Sequence, residues 1–333
     1  MKHANIALFV PHEGCPHMCS FCNQKTISGS VKPLLSEEIK IACETAIKSG
    51  NASPESSEIA FFGGSFTAID EDYMLSLLKA AKPYIDKKFF KGVRVSTRPD
   101  CIDERKLEIL KQYGVTAIEL GAQSMDDGVL ALNERGHTAE DVRTASEMVS
   151  RFGFSLGLQM MTGLYGSNSE KDIYTARELI KLKPETIRIY PTIVLENTAL
   201  ARLMREGKYT PQTLDDAVSL CAELLLMFKE NGIRVIRLGL HSGGNVEEGY
   251  LGGAYHPAFR ELCEGEIYLR KMLAAFRDLP KDAEYVVEVP EKSVSKAIGQ
   301  SKRNEKALKN HGIQCKIKGN EFLSDYEITV KEK

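Results

Sequence analysis

Cys15, Cys19 and Cys22 stand in the stretch GCPHMCSFCNQ, after the apolar run IALFV, which reads as a buried strand. Three thiolates on one loop can hold three corners of an iron–sulfur cube and leave the fourth iron without a protein ligand. An open corner is a place for chemistry, as an open coordination position is at a catalytic zinc. The same spacing suits structural zinc or inert thiols, with His12 or His17 as a fourth zinc ligand. Cys43, Cys101, Cys221, Cys263 and Cys315 are scattered and show no second metal-type spacing, which reads as ordinary intracellular thiols.

Other chemistry-bearing residues fall at regular places. Gly63, Gly64 and Ser65 close a second apolar run, where a backbone without side chains lets a polar ligand come close. Gln123 ends a later run, and Arg135 follows in NERGHT. An amide and a guanidinium suit a ribose and a carboxylate, the latter by a two-pronged hydrogen bond. His137 reads as a loop histidine near a helix start. Near the end, Lys292, Lys296, Lys302, Arg303, Lys306, Lys309, Lys316 and Lys318 crowd one stretch. The segment AIGQSKRN resembles the GXXG loop of KH modules, which clamps a nucleic-acid backbone, with Lys302 in place of the second glycine. Lys296, Gly299, Lys302 and Arg303 are thus the candidate RNA contacts, and a solvated basic helix face is the competing reading.

These residues need a scaffold that brings distant loops together. The 333-residue chain is 43% hydrophobic, enough for one large domain with a small appendage, and its 44 basic and 46 acidic residues nearly balance. Any nucleic-acid contact must therefore come from a local patch. No segment approaches the roughly eighteen apolar residues that cross a bilayer, and no signal peptide is visible, so a reducing cytoplasm is the expected compartment. Strands are expected at Ile6–Val10, Glu58–Phe62, Gly92–Ser96, Ala117–Leu120, Ser155–Met160, Thr186–Tyr190 and Arg234–Leu238. Their near-continuous apolar character fits strands buried on both faces. Helices are expected between them, with Ser36, Asp103 and Ser169 as N-caps and Gly50, Gly114, Gly153 and Gly232 as stops. Alternating strands and helices give an α/β fold, a full or partial TIM-type barrel with parallel strands, whose functional residues collect on the loops after the strands. The cysteine loop, Gly63–Ser65, Thr97–Asp100, Gly121–Ser124 and Tyr190–Thr192 all fall there. Residues 1–280 form this barrel, and 281–333 a small KH-like α+β C-terminal domain: a strand YVVEV, a helix over 293–310, a strand CKIKG and a final strand YEITV.

With these residues assembled, the chain resembles the radical S-adenosylmethionine superfamily, and within it the Elongator catalytic-subunit family. The likeness is carried by GCPHMCSFCNQ, FFGGSFTA, STRPDCID, ELGAQS, NERGHTAEDV and YPTIVLENTALARLMREGKYTP, in the family's order. It implies that Cys15, Cys19 and Cys22 bind a [4Fe–4S] cluster whose fourth iron takes the amino and carboxylate groups of S-adenosylmethionine. It implies that Gly63, Gly64 and Ser65 meet the methionine amino end, and that Gln123 and Arg135 contact the same cosubstrate. Reductive cleavage would release a 5′-deoxyadenosyl radical, with an electron donor such as flavodoxin or ferredoxin. The Elongator subunit carries an acetyltransferase domain after its radical domain and modifies the wobble uridine of tRNA. That domain is expected to be missing here, and the tail resembles the small C-terminal domain of shorter bacterial relatives, which share HPAFRELCE. The expected substrate is RNA, in the form of a tRNA base. The competing readings are a radical enzyme on a small molecule such as a tetrapyrrole, and a non-catalytic metal-stabilised RNA-binding module. Gln159 speaks against the porphyrinogen-oxidase branch, some of whose members have an acidic residue there.

Overall fold

A computed structural model describes residues 4–10, 15, 18–23, 32–240, 247, 249–280 and 283–333. His12, His17, the His241–Gly244 loop and the join at 281–282 lie outside the described residues. Strands β1 (Ala4–Val10), β2 (Ser57–Gly63), β3 (Gly92–Thr97), β4 (Val115–Gln123), β5 (Ser155–Thr162) and β6 (Thr186–Pro191) pair in sequence order, all parallel. A short strand β7 (Ile193–Leu195) leaves the sheet, and β8 (Arg234–Leu238) completes it beside β6. The seven strands curl into an open half-barrel, the partial form of the expected TIM-type barrel. Helices Ser36–Lys48, Glu71–Asp86, Glu104–Gln112, Ala139–Arg151, Ser169–Lys181 and Leu214–Glu230 fill the crossovers.

Local sequence explains most boundaries. Asp70 and Asp103 cap their helices by accepting from Tyr73 N and Lys106 N, which satisfies amides that a helix start leaves without partners. Two expected caps move by one residue. The Leu35 amide donates to Glu38 across the first turn, so the N-cap is Leu35 and not Ser36. Asn168, not Ser169, caps the next helix through Lys171 N. The glycines expected to stop helices have φ between 72° and 82°.

The convex face of the sheet buries Ile59, Phe61, Val93, Val95, Ile118, Leu120, Leu158 and Ile187 against the helices. The concave face departs from the expected apolar pattern. Glu58, Arg94 and Glu119 are buried there, and Arg188 joins them across the sheet.

Three elements without a clear sequence signal appear after β6. Strand β7 pairs antiparallel with β9 (Tyr250–Gly253), and Ala199–Arg205 forms a short helix. The C-terminal unit is a three-stranded mixed sheet in which β10 (Glu284–Pro290) lies between β11 (Gln314–Asn320) and β12 (Thr329–Glu332). Two of its elements differ from expectation. The helix over 293–310 is two helices, Val294–Ile298 and Arg303–Asn310, broken where Gly299, Ser301 and Lys302 have φ of 79°, 51° and 62°. The last strand starts at Thr329, because Tyr326 has φ 67° and cannot continue an extended ladder. The apolar core is continuous from the half-barrel through helix Phe259–Ala275 into Tyr285, Val287, Ala297 and Leu308.

Candidate active site

The cysteine loop is held by residues far away in the chain. Ser20 donates its amide to Asn133 O (3.1 Å) and its hydroxyl to Asn133 Oδ1 (2.8 Å), while its carbonyl accepts from Leu200 N (2.8 Å). Asn23 donates to Glu196 O at 2.9 Å. Asn133 is itself fully buried and donates to Val129 O and Tyr165 O. Phe21, the aromatic before the last cysteine, packs against Val194, Leu200, Ala201 and Tyr209. The NERGH and YPT…TALARLM stretches thus serve as the bed on which the cysteine loop lies. A backbone bond from Cys22 N to Cys19 O (3.0 Å) tightens the turn between the second and third cysteines.

Strand ends bring the remaining groups to the same rim. At the end of β2, Gly63 has φ 116°, and a Cβ there would stand 2.3 Å from Val10 O, so no other residue fits. This close approach lets Gly64 N donate to Val10 O at 3.1 Å. The Ser65 backbone lies beside the Cys15 thiol and favours its deprotonated form, and the Ser65 hydroxyl pairs with Thr97 (2.8 Å) and accepts from Arg98 N (3.0 Å). Burial raises the Cys15 thiol above its ordinary value, against the pull of the Ser65 backbone and of Arg98 and Arg135. At the end of β4 a register shift leaves Gln123 at φ 66°, a strained conformation for a side chain of this size, with Gln159 Nε2 3.4 Å from its Oε1. Arg135 joins the two halves of the rim: Nη1 donates to Cys19 Sγ at 3.1 Å and Nη2 to Gly121 O at 2.7 Å.

The sequence pattern assigns no site role to Arg98, Asp100 and His137, yet all three stand here. Arg98 grips Asp100 through Nε (2.9 Å) and Nη2 (2.8 Å) and also donates to Arg135 O. Burial alone would raise the Asp100 carboxyl, but the Arg98 fork holds it below the usual range. His137 pairs Nε2 with Ala122 O at 3.1 Å. Burial and then Arg135 push it down to about 4, so it is neutral and Nε2 carries the proton. Their signal was partly visible: STRPD follows the third strand on the rim, and His137 lies two residues after Arg135.

Three buried polar atoms at this rim, Arg98 Nη1, Arg135 Nε and His137 Nδ1, have no hydrogen-bond partner among the described residues. A buried donor left without a partner costs about 1–3 kcal/mol. Two guanidinium N–H groups and one imidazole lone pair suit a ligand carrying both a carboxylate and an amine. Among the described residues, no three His, Cys, Asp or Glu side chains gather closely enough for a single metal ion.

The candidate RNA contacts lie elsewhere, on the C-terminal unit. Lys296 Nζ is 2.6 Å from Glu264, Arg303 is 3.0 Å from Asp215, and Lys302 is 3.8 Å from Glu305. Gly299 turns the backbone over Asn304, whose amide donates to Gly265 O and Ala297 O. The GXXG-like loop is therefore also a packing joint against helix Phe259–Ala275.

Comparison with known proteins agrees with this geometry. A family profile described as the Radical SAM superfamily matches residues 9–180, and one described as the Radical_SAM C-terminal domain matches 184–269. The chain is 26% identical over 259 residues to a tRNA uridine(34) acetyltransferase of Methanocaldococcus jannaschii, covering 65% of this chain and 47% of that protein. It is 28% identical over 190 residues to Elongator complex protein 3 of Homo sapiens, covering 51% of this chain and 35% of that one. The match thus spans less than half the length of either relative. The solved archaeal Elp3 of Methanocaldococcus infernus, lacking its N-terminus, superposes with a TM-score of 0.65 at 21% identity over 82% of this chain and 64% of that one, a likeness of fold. No helix among the described residues is long and apolar enough to cross a membrane.

Proposed function

Because this chain belongs to the Radical SAM superfamily, whose members are enzymes that use a [4Fe–4S] cluster and S-adenosylmethionine, we propose that it cleaves S-adenosylmethionine reductively in order to modify an RNA, with tRNA as the substrate. When bound, a [4Fe–4S] cluster would supply the electron for reductive cleavage of S-adenosylmethionine, and Cys15, Cys19 and Cys22 would hold it. Arg98 and Arg135 offer their spare N–H groups to the methionine carboxylate, and the neutral His137 lone pair accepts from the amino group. Ser65, tied to Thr97 and to Arg98 N, fixes the strand end beside Cys15. Gln123 and Gln159 face the ribose side.

The observation that carries this reading is the Arg135 guanidinium spanning Cys19 Sγ and Gly121 O, with Arg98 Nη1 and His137 Nδ1 left open beside it. The RNA substrate draws its support from the relatives named for tRNA uridine chemistry. Flavodoxin or ferredoxin is the proposed electron donor and the cytoplasm the proposed compartment.

Anaerobically reconstituted protein is expected to bind about four irons and to form 5′-deoxyadenosine from S-adenosylmethionine and a reductant. Cys19→Ala is expected to lose both properties and Cys43→Ala neither. Equal loss in the two variants, or a colourless protein with no cleavage, removes the enzyme reading. Nucleosides of tRNA from cells with and without the gene are expected to differ. Identical profiles remove the RNA part and leave the enzyme part standing.

A further inference from the structure

At the start of β8, between helices Leu214–Glu230 and Phe259–Ala275 and the C-terminal residues 292–296 and 325–326, lies an open cleft of about 760 Å³. We propose that this cleft docks the phosphodiester backbone of the RNA substrate, as an anchor separate from the reacting rim. The proposal rests on the RNA reading above.

Five cations line the cleft, Lys229, Arg234, Arg260, Lys292 and Lys296, against the two carboxylates Glu264 and Asp325. Each carboxylate serves two cations. Asp325 lies 2.9 Å from Lys292 and 3.7 Å from Lys229. Glu264 lies 2.6 Å from Lys296 and 3.1 Å from Arg260. The sharing aims four long side chains into one space and leaves the wall three positive charges in excess. A phosphate that accepts from them is met by groups already ordered, so binding orders fewer side chains. Tyr326 adds an aromatic floor, with Lys229 Nζ 4.4 Å from its ring centroid and its hydroxyl donating to Glu264 at 3.3 Å.

The volume falls within the roughly 300–1,000 Å³ of clefts that take small ligands. It admits a nucleotide or two of single-stranded backbone and no duplex, which points to a loop or an end of the RNA. Ile233 and Arg234 mark the start of β8 while Leu238 marks its rim end. Five residues of strand span roughly 17 Å, so the cleft cannot present the reacting nucleotide. It grips a second part of a substrate long enough to reach both places. Lys296 thereby belongs to the cleft wall, and the outward-facing Lys302 of the GXXG-like loop does not.

Arg234 is exposed, and the Lys292 side chain is 74% exposed, so neutralising them leaves the core untouched. The test compares the full chain with Arg234→Gln/Lys292→Gln, and with Lys87→Gln/Lys91→Gln as a charge-matched control at the far side of the sheet. The probe is bulk tRNA, titrated over a range of salt, with thermal midpoints measured in parallel. Each phosphate contact to a single strand contributes about 0.7 to the slope of log affinity against log salt. The cleft variant is expected to be shallower by about 1.4 and several-fold weaker, with an unchanged midpoint, and the control is expected to match wild type. Arg234→Lys/Lys292→Arg is expected to restore the slope. If wild type binds tRNA steeply and the cleft variant keeps the full slope, the cleft is only a brace and the inference fails while the RNA reading stands. If wild type binds no tRNA, the RNA reading fails and the cleft loses its ligand with it.

Discussion

His137 is the residue whose state the fold changes most plainly. Surrounded by Ala122, Arg98, Arg135 and Asp100, it is pushed from its ordinary 6.5 to about 4, first by burial and then by Arg135. A neutral imidazole beside two guanidinium groups keeps an acceptor where donors dominate, which is what an amino group at the rim needs. The displacement also fixes a dependence on pH. In the unfolded chain His137 takes up a proton as pH falls through 6.5, whereas in the folded chain it does so only near 4. The stability this residue contributes is therefore fully present above about 6.5 and is lost between there and about 4, by up to about 3 kcal/mol. Urea unfolding at steps between pH 7 and 4.5 is expected to show wild type losing stability faster than His137→Gln, which keeps an N–H for Ala122 O but cannot titrate. Parallel pH curves for the two proteins would show that His137 takes up its proton over the same pH range folded and unfolded, and that burial does not hold it neutral.

At the level of elements, the described residues of the cysteine loop, 18–23, are held in place by NERGH and by the stretch after β7. Asn133 is the centre of this support, with five hydrogen bonds to or from Ser20, Val129 and Tyr165. Asn133→Ala removes two donors and one acceptor from a buried position, at a cost of roughly 2 kcal/mol or more. It is expected to fold and yet to retain less than half the wild-type iron after gel filtration, because the Ser20 hydroxyl loses its partner and Ser20 is held by its backbone bonds alone. Undiminished iron in the folded variant would show that the loop holds its form without Asn133. The seven strands and their crossover helices were legible because long apolar runs alternate with amphipathic ones, and because the acidic caps and the helix-stopping glycines stand at their ends. The loop's anchors were not, since Ser20 meets Asn133 and Asn23 meets Glu196 across more than a hundred residues. The β7–β9 pair was hidden by its length of three and four residues. The break at Gly299 was hidden because a single glycine inside a helical pattern is usually tolerated.

Across the whole molecule the two faces of the sheet obey different rules. The convex face follows the apolar periodicity of the strands. The concave face carries a ladder that periodicity cannot show, because β2, β3, β4 and β6 contribute one charged residue each to it. Arg94 reaches Glu58 at 2.8 Å and Glu119 at 3.2 Å, and Glu119 also accepts from Arg188 at 2.6 Å and 3.0 Å. Arg188 further lies over the Phe62 ring, 4.8 Å from its centroid. Gly157 makes room for the crossing, since a Cβ there would stand 2.8 Å from Glu119 Cγ. Charges buried this deeply are stable only as a complete set. Glu119→Gln leaves two arginines with the Glu58 carboxylate alone and is expected to cost about 3–5 kcal/mol. Glu119→Leu/Arg188→Met removes a charge of each sign, keeps the Arg94–Glu58 pair, and is expected to cost less than Glu119→Gln alone. Because the core runs unbroken into the C-terminal sheet, both losses are expected in one urea transition, with little dependence on salt. A double variant as unstable as the two single changes added together would mean that these residues act separately, and that the ladder is not what closes the floor of the half-barrel.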